Sequence, residues 1–420
     1  MNERKTGGTL SNFCLLVMFI YCSINIMPIG QVLIPPLYSE ALLLLWFLLS
    51  ILCRLQNRSK FSFLDSSFLV VFFIVLCYKL FNISNSSWGT IFNSINFLFS
   101  VLMIEFSIKV LNDKQVKCLF WGLFFVITLY TLYCIIASFV LSDYSELLII
   151  NSNEEQESMR SRLNLGDTQH DMMVLFYFCV SYLLWLFREK WKFFFLILSL
   201  LAGYYIIFVS QRASISIYLL FAFIALPIVI QDAQKRSTRT ILFLLIGFLI
   251  ILIFGNDVIS FLKSILPERI SERLLDIDDS VNHGVSGDSF SGRAGLIIMS
   301  IDTWLSGVDT FFFGIGERYS QTLDYSAGTL GVGGHADGFD LLGKFGILGW
   351  SAVMIMFFRF RGMVLHSIYS LKCKRTFSFL FLFFMICFFT KTVFFIQVGI
   401  GAVILVPLCF YMEDHKLLHN

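Results

Sequence analysis

Arg212 stands in the run FVSQRASISIYL, Arg293 in SGRAGL, and His335 in GVGGHADGFDLLGKFGILGW. Arginine forks hold phosphate or carboxylate oxygens bidentately. A histidine titrates near neutral pH and serves as a base or a hydrogen-bond donor. Together the three could grip an anion and take a proton from a hydroxyl. Each also has a plainer reading. Arg212 could be an arginine snorkelling to an interface, Arg293 a solvent-exposed loop residue, and His335 a solvated loop histidine. Weaker substrate-binding candidates are Arg160, Arg162, Gln169 and His170, which flank one apolar segment, with Arg318 in FFFGIGERYS and Asp337 just after the histidine.

The elements that must position these residues are set by composition. Of 420 residues, 57% are hydrophobic and 14% charged, against about a quarter charged in soluble domains. A run of about 20 apolar residues crosses a bilayer, and this chain has many. The sequence predicts an all-α polytopic membrane protein with about 12 transmembrane helices, near residues 11–29, 34–52, 63–81, 89–110, 118–141, 169–187, 193–209, 213–230, 240–254, 338–358, 376–394 and 396–412. The basic start and apolar run at the N-terminus are read as the first of these, since no small-residue cleavage site follows.

Orientation follows from the connectors. RLQNRSK, LNDKQVK, FREKWK, QDAQKRSTR and the segment from RFRG to KCKR are basic, whereas GQVLI and NISNSSW carry no lysine or arginine. The positive-inside rule puts the basic connectors and both termini in the cytoplasm. Two long segments then lie outside, residues 142–171 and 255–337, within a single integral membrane domain spanning 1–420. Loops longer than about 12–15 residues are uncommon unless they are functional or disordered. The larger loop is expected to be folded. ISFLKSILPERISERLLDI has helical spacing, with Pro267 opening its second piece. A polar stretch, DDSVNHGVSGDSFSG, follows. RAGLIIMSIDTWLSGV then reads as an amphipathic helix against the membrane face, with Leu296, Ile297, Ile298, Ile301 and Trp304 on one side. On that reading Arg293 stands at the helix start, where free backbone N–H groups favour anions. FFFGIGERYS supplies an apolar wedge and a glycine turn.

Several classes are excluded or disfavoured. The cytoplasmic connectors are too short for a nucleotide-binding domain, and neither a P-loop nor GxGxxG occurs. A net charge of +2, spread over loops, gives no reason to expect nucleic acid. The ten cysteines lie in apolar segments or short basic loops without CxxC spacing, which suggests buried small hydrophobes and no zinc site or disulfide framework. Asp276-Ile277-Asp278-Asp279 imitates a metal-binding DxD motif but reads as a solvated acidic face, so neither metal nor cofactor is expected.

An arginine costs about 2.5–3.5 kcal/mol at the bilayer centre, so Arg212, in a turn with almost no loop, should face a partner or a wet cavity. A substrate with a phosphate head at the surface and a lipid tail in the bilayer fits the three principal candidates. VSQRAS before the eighth span, the outer loop opening SGRAGL and running through tryptophan into FFFGIG, and the histidine of HADGFDLLGKFGILG resemble the O-antigen polymerase and O-antigen ligase superfamily of bacterial inner-membrane glycosyltransferases. The resemblance covers the topology of the whole chain, but its specific motifs only about residues 208–350.

That resemblance implies an all-helical C-type glycosyltransferase fold, periplasmic chemistry, a glycan on undecaprenyl pyrophosphate as donor, and no metal. By position, Arg212 and Arg293 would grip the pyrophosphate and stabilise charge on the leaving group. His335 would align or deprotonate the acceptor hydroxyl. The family commonly has asparagine or serine after the histidine; here Ala336-Asp337 follow, and Asp337 would help orient the site. The expected role is polymerisation of O-antigen repeat units on lipid-linked acceptors, with a separate chain-length regulator as partner and membrane lipid as surroundings. A ligase acting on lipid A-core would use the same donor chemistry. From another class, a lipid-glycan flippase or secondary carrier would place broken helices near the midplane, often in repeated halves; no internal repeat is visible.

Overall fold

The computed structural model describes residues 8–27, 34–56, 63–81, 88–140, 168–188, 190–210, 213–235, 288–316, 331–332, 334 and 336–415. For residues 36, 63–65, 78–81, 88–95, 168, 213–214, 232–235 and 288–295 it describes the backbone alone. Every regular element among the described residues is a helix. We number them α1 (Thr9–Ile26), α2 (Pro36–Gln56), α3 (Phe63–Phe81), α4 (Trp88–Lys109), α5 (Asp113–Val140), α6 (Thr168–Phe187), α7 (Lys192–Ser210), α8 (Ala213–Lys235), α9 (Asp288–Leu305), α10 (Val308–Phe313), α11 (Asp337–Ser367), α12 (Leu371–Thr390) and α13 (Ile396–Asp414). Eight of them, α1, α2, α5, α6, α7, α11, α12 and α13, are long and apolar enough to cross a membrane. The chain is therefore a polytopic membrane protein, helical throughout its described regular elements.

Burial sorts the bundle. In α13 and α6, 94% and 83% of the apolar window is buried, against 33% in α2, so the first two form the centre and α2 lies outside. Phe357 of α11 is a hub there, packing edge-on against Phe97, Phe384 and Phe388. Outward faces carry Phe73, Phe139, Phe193, Phe223 and Phe358 in the open. So many large apolar side chains in the open suit lipid better than water.

Hydrogen bonds between helix ends define two poles. At the basic pole Gln115 donates to Ser11 and Asn12 of α1 (3.0 and 2.6 Å), and Asp414 accepts from the backbone N–H groups of Tyr369 and Ser370. At the opposite pole Gln397 donates to the Asn25 carbonyl (3.1 Å), Asn25 donates to Ser39 (3.2 Å), and Tyr218 bonds Thr390 (2.6 Å). The described starts of α1 and ends of α13 share the basic pole.

The helix bounds follow local chemistry. α5 begins at Asp113, five residues before the expected 118, because Asn112 and Gln115 form a reciprocal capping box (2.9 Å each way) that lets a charged first turn start the helix. α12 ends at Thr390, short of the expected 394, because Lys391–Phe395 is drawn off by a carboxylate described below. α11 runs to Ser367, past the expected 358, and is broken at Gly346 (φ 60°). α9 starts at Asp288, not after Gly292. Ser291-Gly292, read as a boundary, lies inside the helix, and the Asp-Ser pair upstream supplies the residue types that favour helix starts. Arg293 is thus in the second turn, beyond the four free N–H groups of the first. α6 begins at Thr168, one residue before the expected 169. The ninth expected span, 240–254, the pieces around Pro267 and the Asp276–Asp279 run lie outside the described residues.

Candidate functional site

The pole opposite the basic connectors holds two buried polar clusters. The first grows from the start of α6, where Gln169 is half-buried and His170 and Asp171 are buried. The Asp171 carboxylate accepts from the Tyr205 hydroxyl at Oδ1 (2.7 Å) and from the Ser210 hydroxyl at Oδ2 (2.7 Å). Tyr205 in turn meets the Tyr130 hydroxyl at 3.5 Å, and the Tyr130 ring stacks on His170 with centroids 4.9 Å apart. Backbone winding explains how one carboxylate reaches two residues of α7. Five residues advance ~140° past a full turn in an α-helix, which would put Tyr205 and Ser210 on different faces. Tyr205–Ser210 is π-wound, with i→i+5 bonding, so the two return to nearly one face.

The second cluster caps α11. Its first residue, Asp337, and its fourth, Asp340, sit where the helix dipole favours anions. Asp340 accepts from the Ser300 hydroxyl (2.7 Å) and the Ala336 N–H (3.0 Å), which ties α9 to the start of α11. Asp337 Oδ2 accepts from two consecutive backbone N–H groups, those of Val393 and Phe394, the latter at 2.7 Å. Its own N–H donates to the Lys391 carbonyl (3.2 Å), and Thr392 Oγ1 donates to the Gly334 carbonyl (3.1 Å). A span interior cannot leave two N–H groups unpaired, and this carboxylate is what lets Lys391–Phe395 depart from helix. Two turns after Asp337, buried Lys344 lines a small hole of about 20 Å³ with Asp337, Leu341 and Phe394.

Of the residues expected to act, Gln169, His170 and Asp337 are described with their side chains. His170 is enclosed against Tyr130, and Asp337 is engaged by its own chain. Arg293 lies on α9, two turns before Ser300. Arg212, His335, Arg160, Arg162 and Arg318 lie outside the described residues. For positions 212 and 335 nearby described residues show the surroundings. Position 212 follows Ser210, held by Asp171, and precedes α8. Position 335 falls between Gly334 and Ala336, each hydrogen-bonded to the second cluster. The Tyr218–Thr390 bond then joins α8 to the end of α12, two residues from Thr392.

Sequence reading missed Asp171, Tyr205, Ser210, Tyr130, Ser300 and Asp340. For Asp340 the signal was present, since DGFD opening a span puts two acids at i and i+3 on one face. For Tyr205 and Ser210 no spacing signal exists in an α-helical frame. The chain matches no protein-family model, and a search of curated proteins returns no match to it.

Proposed function

We propose that this chain is a membrane-embedded glycosyltransferase of the O-antigen polymerase type, working at the face opposite its basic connectors. The observation that supports the reading is the hydrogen-bonded junction of one pole. There the residues flanking positions 212 and 335, and the helix carrying Arg293, meet through Asp171–Ser210, Tyr218–Thr390, Thr392–Gly334 and Asp340–Ser300. In this reading Arg212 and Arg293 hold the pyrophosphate of an undecaprenyl-linked glycan, and His335 takes the proton of the acceptor hydroxyl. Asp337 and Asp171 do not touch substrate; they fix the backbone on either side. The proposal includes twelve spans, both termini in the cytoplasm, a bacterial inner membrane, no metal requirement, and a chain-length regulator as partner.

The deciding experiment removes the gene from its host and resolves the lipopolysaccharide on a silver-stained gel, with His335→Ala restored at normal abundance beside the parent. A core bearing one repeat unit without the ladder supports polymerase. Bare core with accumulating lipid-linked polymer supports the ligase instead. An unchanged ladder, or a full ladder from His335→Ala, rejects the assignment of O-antigen chemistry to this site.

A carrier reading draws on a different observation. Tyr205–Ser210 and Gly399–Leu405 are π-wound, and α11 is broken at Gly346. Discontinuous helices line substrate paths in transporters. The first, the Asp337–Phe394 break and the start of the second gather toward one pole. This weighs toward surface chemistry; glycan flipping in proteoliposomes by His335→Ala at the parent's rate would reverse that.

A further inference from the structure

We propose that Leu296–Gly316, the end of α9 with α10 and its glycine turn, is a re-entrant element seated at the headgroup–acyl boundary, and that bilayer lipid covers its outward face. The inference rests on the chain spanning a membrane and is independent of the glycosyltransferase reading.

Three observations lead there. The first is an inversion of polarity. The face of α9 turned to the protein carries Ser300 and Thr303, both buried and hydrogen-bonded, to Asp340 and to the Gly331 carbonyl. Ile298, Leu305, Val308, Phe312 and Phe313 are 44–77% exposed. A loop folded in water would put those on the inside.

The second is backbone pairing within a span. The break at Gly346 frees carbonyls that a continuous helix would use. Ile315 N–H donates to the Gly343 carbonyl and Gly316 N–H to the Lys344 carbonyl, each at 2.9 Å. Contact is too close for side chains on either strand. A Cβ at Gly314 (φ 72°) would collide with the Lys344 carbonyl, and one at Gly346 with the Phe312 carbonyl carbon. Irregular backbone at membrane depth is tolerated only when its polar groups are satisfied by protein. The turn supplies that satisfaction.

The third is position. Gly346 lies nine residues into α11, about 13 Å along the helix from Asp337. Leu348 begins an outward apolar strip that continues through Ile355 and Phe358. Phe312 and Phe313 abut Gly346 and extend that strip sideways. Asp302 and Asp309 are also exposed on the outward side, which fits a depth where carboxylates reach headgroup water while neighbouring rings enter the acyl region.

The test is spin-label accessibility in the full chain, reconstituted in phosphatidylcholine–phosphatidylglycerol vesicles. Phe313→Cys and Val308→Cys are made separately with Cys118→Ser, which removes the exposed native thiol. Phe358→Cys in α11 serves as the lipid reference and Tyr369→Cys, 79% exposed between α11 and α12, as the water reference. We expect the α10 labels to behave like Phe358, with collision favouring oxygen over a water-soluble nickel chelate. Labels that behave like Tyr369 would place the element in water. Labels shielded from both reagents would mean that protein covers it, and either result overturns the proposal. Should Phe313→Cys fail to fold, Val308→Cys gives the same reading from the other end of α10.

Discussion

Asp171 and Ser210, 39 positions apart, meet at 2.7 Å because α7 switches to π winding just before its end. The same switch brings Tyr205 to the other oxygen of that carboxylate, also at 2.7 Å. A buried aspartate needs such donors, since a hydrogen bond to a charged group contributes about 1.5–3 kcal/mol and an unmet one costs more. Tyr205→Phe removes one donor and little volume. We expect it to lower the unfolding midpoint in detergent, followed with a thiol-reactive dye that reports the mostly buried cysteines. An unchanged midpoint would mean that Asp171 does not depend on Tyr205.

Asp337 holds a backbone break, and its substitutions should rank accordingly. Asp337→Asn keeps an oxygen that can still accept from Val393 and Phe394. Asp337→Ala leaves both N–H groups buried and unmet, at roughly 2–6 kcal/mol for the pair from 1–3 each. The expected order of stability is parent, Asn, Ala, read from the yield of folded protein after extraction. If alanine were as stable as the parent, the carboxylate would not be what holds Lys391–Phe395 out of helix.

The contrast between what could and could not be read in advance has a physical basis. The long apolar spans were legible because about 20 consecutive hydrophobic residues admit few alternatives. α6 and α7 fall within a residue or so of their expected bounds; α3 and α4 match as helices, outside the eight long apolar ones. The start of α9 was misread because Ser291-Gly292 carries the same local signal inside a helix as before one. The end of α12 was misread because its stop comes from Asp337, more than fifty residues away. For the site, chain positions 212, 293 and 335 were picked by residue type and placement between spans. The network that fixes their neighbours was not, because π winding at Tyr205–Ser210 leaves no periodic trace.

At the basic pole Glu105 is fully buried and ion-paired with Lys109, one turn on, and with Arg54 of α2 at 3.6 Å. Removing one member of a buried ion pair strands the other charge, at about 3–5 kcal/mol, whereas replacing both with apolar residues is often neutral. Glu105→Leu alone should therefore reduce membrane-inserted protein sharply, and Glu105→Leu with Arg54→Met should recover much of it. Quantitative blots of membrane fractions decide this. If the double variant is no better than the single, Arg54 is not the charge that Glu105 compensates.

Orientation is open to a direct chemical test through Cys118, the exposed thiol of the ten cysteines. It sits at the start of α5, beside Lys117 and one turn from Lys114, at the basic pole. The proposed orientation, drawn from the positive-inside rule, puts that pole in the cytoplasm. A membrane-impermeant maleimide should then label the parent in inverted vesicles and not in intact spheroplasts, and Cys118→Ser should lose the inverted-vesicle signal. Labelling of Cys118 from the outside of spheroplasts would reverse the whole assignment. It would move the Asp171 and Asp337 clusters to the cytoplasmic face, and the proposed chemistry, which acts on the outer face, would fail with it.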